Sequence, residues 1–157
     1  MIATSRFNQT TWNENCIYRR EKQIKGCIYG SPSSLSGKIP PNTSVFIVEM
    51  NNTTNRIEGI GLICNRPEYD HYYRIYETGN YNRYVYKSEY RIDRSTMLLH
   101  NKDLVKAFDH ILFKEKTHMK RGAGITVVPQ KLLQHKVCNH IDIHHELSSL
   151  FKEAFLS

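Results

Sequence analysis

Two apolar runs separated by five polar residues place the strongest constraint on this chain. Ser44-Val-Phe-Ile-Val-Glu-Met50 and Arg56-Ile-Glu-Gly-Ile-Gly-Leu-Ile-Cys64 are rich in β-branched and aromatic residues, and Asn51-Asn-Thr-Thr-Asn55 between them has the composition of a turn. The pattern predicts an antiparallel hairpin. Because side chains alternate with period two, Phe46 and Val48 must face away from Val45 and Ile47, while Ile60 and Leu62 share a face. Gly59 and Gly61 leave the other face of the second strand bare, as happens where a bulge, a bend or a ligand comes close.

The remaining elements are read around that hairpin. Lys25-Gly-Cys-Ile-Tyr-Gly30 is a short strand, and residues 31–44, rich in Ser, Pro and Gly, are a loop. Met1 to Trp12 reads as a polar segment. From Tyr69 to Asp93 the pattern predicts two strands around a turn at Glu77-Thr-Gly-Asn80, with Tyr84, Tyr86 and Ser88 alternating against Val85 and Lys87. Residues 101–113 switch to helical spacing, with Leu104, Val105, Phe108, Ile111 and Leu112 on one face and Asn101 as N-cap. Gly124-Ile-Thr-Val-Val128 is a strand ended by Pro129. A last helix starts near Asp142 and turns Leu147, Leu150, Phe151 and Phe155 inward. This order of strands, helix, strand and helix, with no repeating βαβ unit, excludes a doubly wound sheet. It predicts an α+β fold: one small, mostly β domain over residues 1–157 with peripheral helices. A length of 157 residues fits one domain. The hydrophobic fraction, 39%, is low, but ten Tyr and six Phe supply buriable surface.

Lys and Arg number 22 against 15 Asp and Glu, a net charge of +7. That excess suits nucleic acid or an anionic surface, yet it is spread along the chain rather than gathered into a basic tail. No apolar run approaches the ~20 residues of a membrane span, and the N-terminal segment lacks the apolar core of a signal peptide. Cys16, Cys27, Cys64 and Cys138 are widely spaced and contain no Cys-x-x-Cys pair, so free thiols are expected. The expected setting is soluble and cytoplasmic or nuclear, not secreted, with no membrane partner.

Eight of the ten tyrosines fall between Tyr69 and Tyr90, interleaved with Arg66, Arg74, Arg83, Lys87, Arg91 and Arg94. Aromatic faces stack on bases and guanidinium groups pair with phosphate, a mixture that suits single-stranded nucleic acid. The same residues also suit a half-buried sheet with tyrosines on its core face. Lys114 to Gly124 joins four cations and a His to a Gly-x-Gly, where glycine lets backbone amides approach a phosphate and Lys120 and Arg121 supply charge. It is neither a Walker A loop nor a Rossmann fingerprint, and a solvated connection explains it equally well. His135, Cys138, His140, His144 and His145 have metal-type chemistry, but their spacing matches no common zinc module, so an exposed, His-rich helix start is the better reading. Neither a metal nor another cofactor is expected. No nucleophile elbow or close carboxylate pair points to catalysis.

Trp12, the run Pro40-Pro-Asn-Thr-Ser-Val-Phe-Ile-Val-Glu-Met50 and the strand Ile57-Glu-Gly-Ile-Gly-Leu-Ile63 carry a family resemblance. Over roughly residues 1–95 the chain resembles the PUA-like superfamily, the pseudobarrel group that includes EVE, YTH and ASCH domains. In EVE-type domains an early aromatic segment precedes a loop, a strand and a Gly-containing strand on the barrel wall. The Lys-x-x-Glu signature of ASCH enzymes is missing here, which argues against that branch. The resemblance implies a PUA-like pseudobarrel that binds DNA or RNA, often by flipping a modified base into an aromatic pocket. Trp12, Tyr29 and members of the Tyr69–Tyr90 group, Tyr84 and Tyr86 among them, are the aromatics available for such a cage, with Arg83, Lys87, Lys120, Arg121 and Gly122 as the basic surface around it. The alternatives are a nuclease or base-modifying hydrolase on the same fold, or a protein interaction module, since Tyr and Arg also dominate interface hot spots.

Overall fold

A computed structural model describes residues 1–35, 37–114, 118–122 and 124–156. The chain opens with strand β1 (Ile2–Phe7) and helix α1 (Gln9–Glu21), followed by β2 (Cys27–Ser31), β3 (Ser44–Asn51), β4 (Arg56–Cys64), β5 (Tyr84–Ser88) and β6 (Tyr90–Asp93). Helices α2 (Arg94–His100) and α3 (Lys102–Asp109) come next, α3 running on through a π turn, His110–Lys114. Strand β7 (Ile125–Val127), the short α4 (Gln130–Leu133) and α5 (Ile143–Phe155) complete it.

Five strands form a mixed sheet in the order β6-β4-β3-β1-β7, and β2 pairs with β5 in a separate two-stranded sheet. The β3–β4 hairpin is antiparallel, with Ser44 opposite Cys64 and Glu49 opposite Gly59, and a register shift between Glu49 and Met50. Side-chain alternation follows the sequence pattern. Phe46, Val48 and Met50 of β3 enter a core with Ile60, Leu104, Phe108, Leu147 and Phe151 under the helices. Val45 and Ile47 enter a second core with Phe7, Ile28, Tyr29 and Tyr86 under the small sheet. Both faces of the large sheet are therefore covered, and each fully buried Leu, Ile or Phe stabilises the fold by roughly 1.5–3 kcal/mol.

Helix ends are set locally. Asn101 accepts a hydrogen bond from the Leu104 N–H at 3.1 Å and Asp142 one from His145 N–H at 3.1 Å, so both foreseen helices start where their N-caps stand. At α1, Asn8 Oδ1 accepts from Thr11 N–H at 2.8 Å while Asn8 N–H donates to Thr11 Oγ1 at 3.0 Å. This reciprocal capping box stops β1 and starts α1 within one residue.

Four expectations need correction. The N-terminal polar segment is in fact the strand between β3 and β7, parallel to β3, followed by a helix; Thr4, Ser5 and Asn15 are buried there. Residues 69–78 form no strand; Asn82, 3% exposed, folds them as a loop by accepting from Ile75 N–H and Tyr76 N–H and donating to the Tyr76 carbonyl. Among the described residues helix outweighs strand, so the fold is mixed rather than mostly β. Nor do the described strands close a barrel: β5 lies near β4, but no ladder joins the two sheets. No described helix is long and apolar enough to cross a membrane.

Candidate functional site

The parallel pair β1 and β3 brings both strands' carboxyl ends to the same edge of the sheet. A hollow of about 180 Å³ lies there. Ser5, Arg6 and Phe7 from the end of β1, Asn8 and Thr11 from the start of α1, and Asn52 just after β3 form one side. Gly30, Tyr76, Tyr81, Gly122 and Gly124 form the other. Tyr76 and Tyr81 meet edge to face with ring centroids 6.3 Å apart; Tyr81 is half-buried, while Tyr76 and Phe7 are buried in the core beneath. By volume the hollow holds about six waters, and it is smaller than the ~300 Å³ at which drug-sized sites begin. It suits one planar ring system.

Arg6 straps this end of the molecule together. Its guanidinium donates to the Gly122 carbonyl at 3.2 Å, the Met119 carbonyl at 3.4 Å and Thr126 Oγ1 at 2.7 Å. Partial burial holds its pKa below the usual arginine value by desolvation. Gly122 and Gly124 have φ of +85° and +82°, a backbone conformation that side-chain-bearing residues rarely adopt. Asn52 Nδ2 donates to the Lys120 carbonyl at 3.0 Å, and Lys120 Nζ donates to Asn55 Oδ1 at 2.6 Å. Asn52 Oδ1 is buried with no hydrogen-bond partner among the described residues. Gly122 lines the hollow and Lys120 is tied to Asn52 and Asn55 beside it, but neither Lys120 nor Arg121 is among the residues lining it; residues 115–117 and Ala123 of that loop lie outside the described residues.

The aromatic candidates divide differently. Tyr29 and Tyr86 are 0% and 1% exposed, so neither offers a face to a base. The Tyr86 hydroxyl accepts from Leu35 N–H at 3.0 Å, and the Tyr29 hydroxyl donates to Glu49 Oε2 at 2.6 Å. Burial pushes the Tyr29 hydroxyl well above the ordinary tyrosine value. Trp12 is half-buried, with Phe7 against its ring at 5.1 Å and the guanidinium groups of Arg19 and Arg91 over it at 5.4 and 5.6 Å. These contacts fasten α1 to β1 and β6. Half-buried Tyr84 carries the exposed Arg83 over its ring at 5.6 Å, and Lys87 lies over Tyr73 at 5.1 Å; none of these lines the hollow.

The bare face of β4 is filled from within. A Cβ on Gly61 would collide with the Tyr29 hydroxyl and Cys27 Sγ, and one on Gly59 would approach Arg91 Nη2 to 2.8 Å. The glycines make room for a buried polar network in which Arg91 Nη2 and Nε donate to the two oxygens of Glu49 at 2.7 and 2.9 Å. No cluster of three or more His, Cys, Asp or Glu side chains among the described residues is arranged to hold a metal ion; His140, His144 and His145 are exposed.

Sequence reasoning missed Ser5, Arg6, Phe7 and Asn8, and it held Tyr76 and Tyr81 only as members of the Tyr69–Tyr90 group without singling them out. The available signal was Asn8-x-x-Thr11, whose capping geometry places a helix start directly after Phe7. Comparison of the chain with protein-family models, curated proteins and solved structures finds no match.

Proposed function

We propose that this chain is a nucleic-acid-binding module, a PUA-like domain with an open sheet, that takes one unstacked base of DNA or RNA into the hollow at the end of β1. The observation that carries this reading is the hollow itself. Half-buried Tyr81 supplies a ring wall, Asn52 offers a buried amide oxygen with no partner among the described residues, and Arg6 and Gly122 bring positive charge and backbone beside it. Extruding a base costs a few kcal/mol, and stacking on an aromatic returns ~1–3 kcal/mol per base. Single-stranded or mismatched sites therefore bind best. The residues lining the hollow include no carboxylate, histidine or cysteine among those described, which favours binding over hydrolysis on this site.

Fluorescence anisotropy of labelled single-stranded oligonucleotides, titrated at several salt concentrations, tests the reading. Affinity should fall steeply with salt, and Lys120→Ala with Arg121→Ala should flatten the slope by up to about two units, one per lost phosphate contact. Tyr81→Ala should weaken binding by ~1–3 kcal/mol with little change in slope. A wild-type protein that binds no oligonucleotide at low salt would overturn the proposal.

A further inference from the structure

We infer that the hollow between the end of α1 and residues 71–74 is a stacking platform for nucleotides that flank the pocketed base, an inference that rests on the nucleic-acid reading. Its volume is about 510 Å³, and His71, Tyr72, Tyr73, Arg74, Lys87 and Lys22 are among its walls. Tyr72 is 64% exposed, so its ring is open to a partner. The ring is nonetheless held: its hydroxyl accepts from Asn82 Nδ2 at 3.3 Å. The same buried amide fixes the backbone of Tyr76, a wall of the base pocket. One side chain therefore orders an inward tyrosine and an outward one on the same loop, so a strand leaving the pocket meets a preorganised ring.

The neighbouring groups select the occupant. His71 packs on Tyr73 with ring centroids 3.9 Å apart, and Asp70 accepts from the Tyr73 hydroxyl at 2.6 Å and contacts His71 Nδ1 at 3.1 Å, which fixes both rings. Lys22, Arg74 and Lys87 give the walls three cations against one acid, Glu21, with Asp70 bonded to the His71 and Tyr73 rings. Aromatic faces beside cations match unpaired bases on a phosphate backbone, whereas a duplex hides its base faces. The occupant is a single strand.

The test compares single-stranded oligomers of three and nine nucleotides, and a nine-base-pair duplex, by anisotropy at low salt. Wild-type protein should bind the nonamer at least tenfold more tightly than the trimer. Tyr72→Ala combined with Lys87→Gln should lose roughly 5-fold or more of nonamer affinity, the equivalent of ~1 kcal/mol of stacking, and leave the trimer unchanged. Tyr72→Phe, which keeps the ring but removes the hydroxyl that Asn82 holds, should lose less nonamer affinity than Tyr72→Ala. Equal wild-type affinity for trimer and nonamer, or a nonamer gain that survives in the double variant, would remove the platform and leave the pocket standing. Duplex binding as tight as the nonamer would also remove it, and no binding of any oligomer would remove both readings.

Discussion

Replacing Arg91 by Met is the sharpest test of how the bare face of β4 is used. Glu49 is 1% exposed and accepts from the Tyr29 hydroxyl at 2.6 Å and from Arg91 at 2.7 and 2.9 Å. Arg91→Met keeps the aliphatic stem but leaves that carboxylate without its cation, which for a buried pair destabilises by ~3–5 kcal/mol. Loss of the guanidinium over Trp12 adds up to ~1 kcal/mol. Glu49→Met strands the guanidinium in turn, at a similar cost, because the Arg91 side chain is only 11% exposed. The double variant buries neither charge and leaves chiefly the Tyr29 hydroxyl unpaired, ~1–3 kcal/mol. Urea unfolding reads the cycle: each single variant should lower the midpoint by about 2 M at an unchanged m of ~2 kcal/mol/M. The double variant should be more stable than either single one. If it instead loses the sum of the two single losses, the residues do not act as a pair and the reasoning fails.

Three further outcomes follow from side chains already placed. Trp12→Ala should cost ~3 kcal/mol of stability, because it removes a packed indole, while oligonucleotide affinity of the folded fraction stays unchanged; unfolding curves alongside anisotropy would show it. Asp93 caps α2, and the hydrogen bond from Thr96 N–H holds its carboxyl below the usual value; its stabilisation is full above about pH 4 and disappears as pH falls through the lower folded value. Asp93→Ala should therefore cost ~1 kcal/mol at pH 7 and less at pH 2, measured by urea melts at both. Burial and the Glu49 charge push the Cys27 thiol up to about 12, whereas Cys64 is exposed, so a thiol reagent at pH 8 should label Cys64 long before Cys27, as peptide mapping of the labelled protein would report.

Much of the fold is legible where a single face is apolar. The β3–β4 hairpin announces itself by period two, and α3 and α5 by helical spacing behind Asn101 and Asp142. β1 and α1 stay hidden because their buried positions include Thr4, Ser5 and Asn15, whose burial is stabilised by partners far away in sequence: Asn15 Nδ2 donates to the Ile28 carbonyl and the Tyr76 hydroxyl. The tyrosine segment misleads for a related reason. Its strand-like composition is overridden between Tyr69 and Thr78 by the hydrogen bonds of one residue, Asn82, which no local pattern reveals. Lys120, Arg121 and Gly122 were legible as a basic glycine loop, but the pocket that Gly122 lines depends on long-range convergence of β1, α1 and the Tyr76–Tyr81 loop.

The base-pocket proposal is tested most directly by titrating a single-stranded oligonucleotide into ¹⁵N-labelled protein and following backbone amide shifts. The account predicts the largest shifts at Ser5 to Asn8, Gly30, Asn52, Tyr76, Tyr81 and Gly122, which surround the hollow. Shifts that leave those amides untouched while moving others, or no shifts at all, would contradict it.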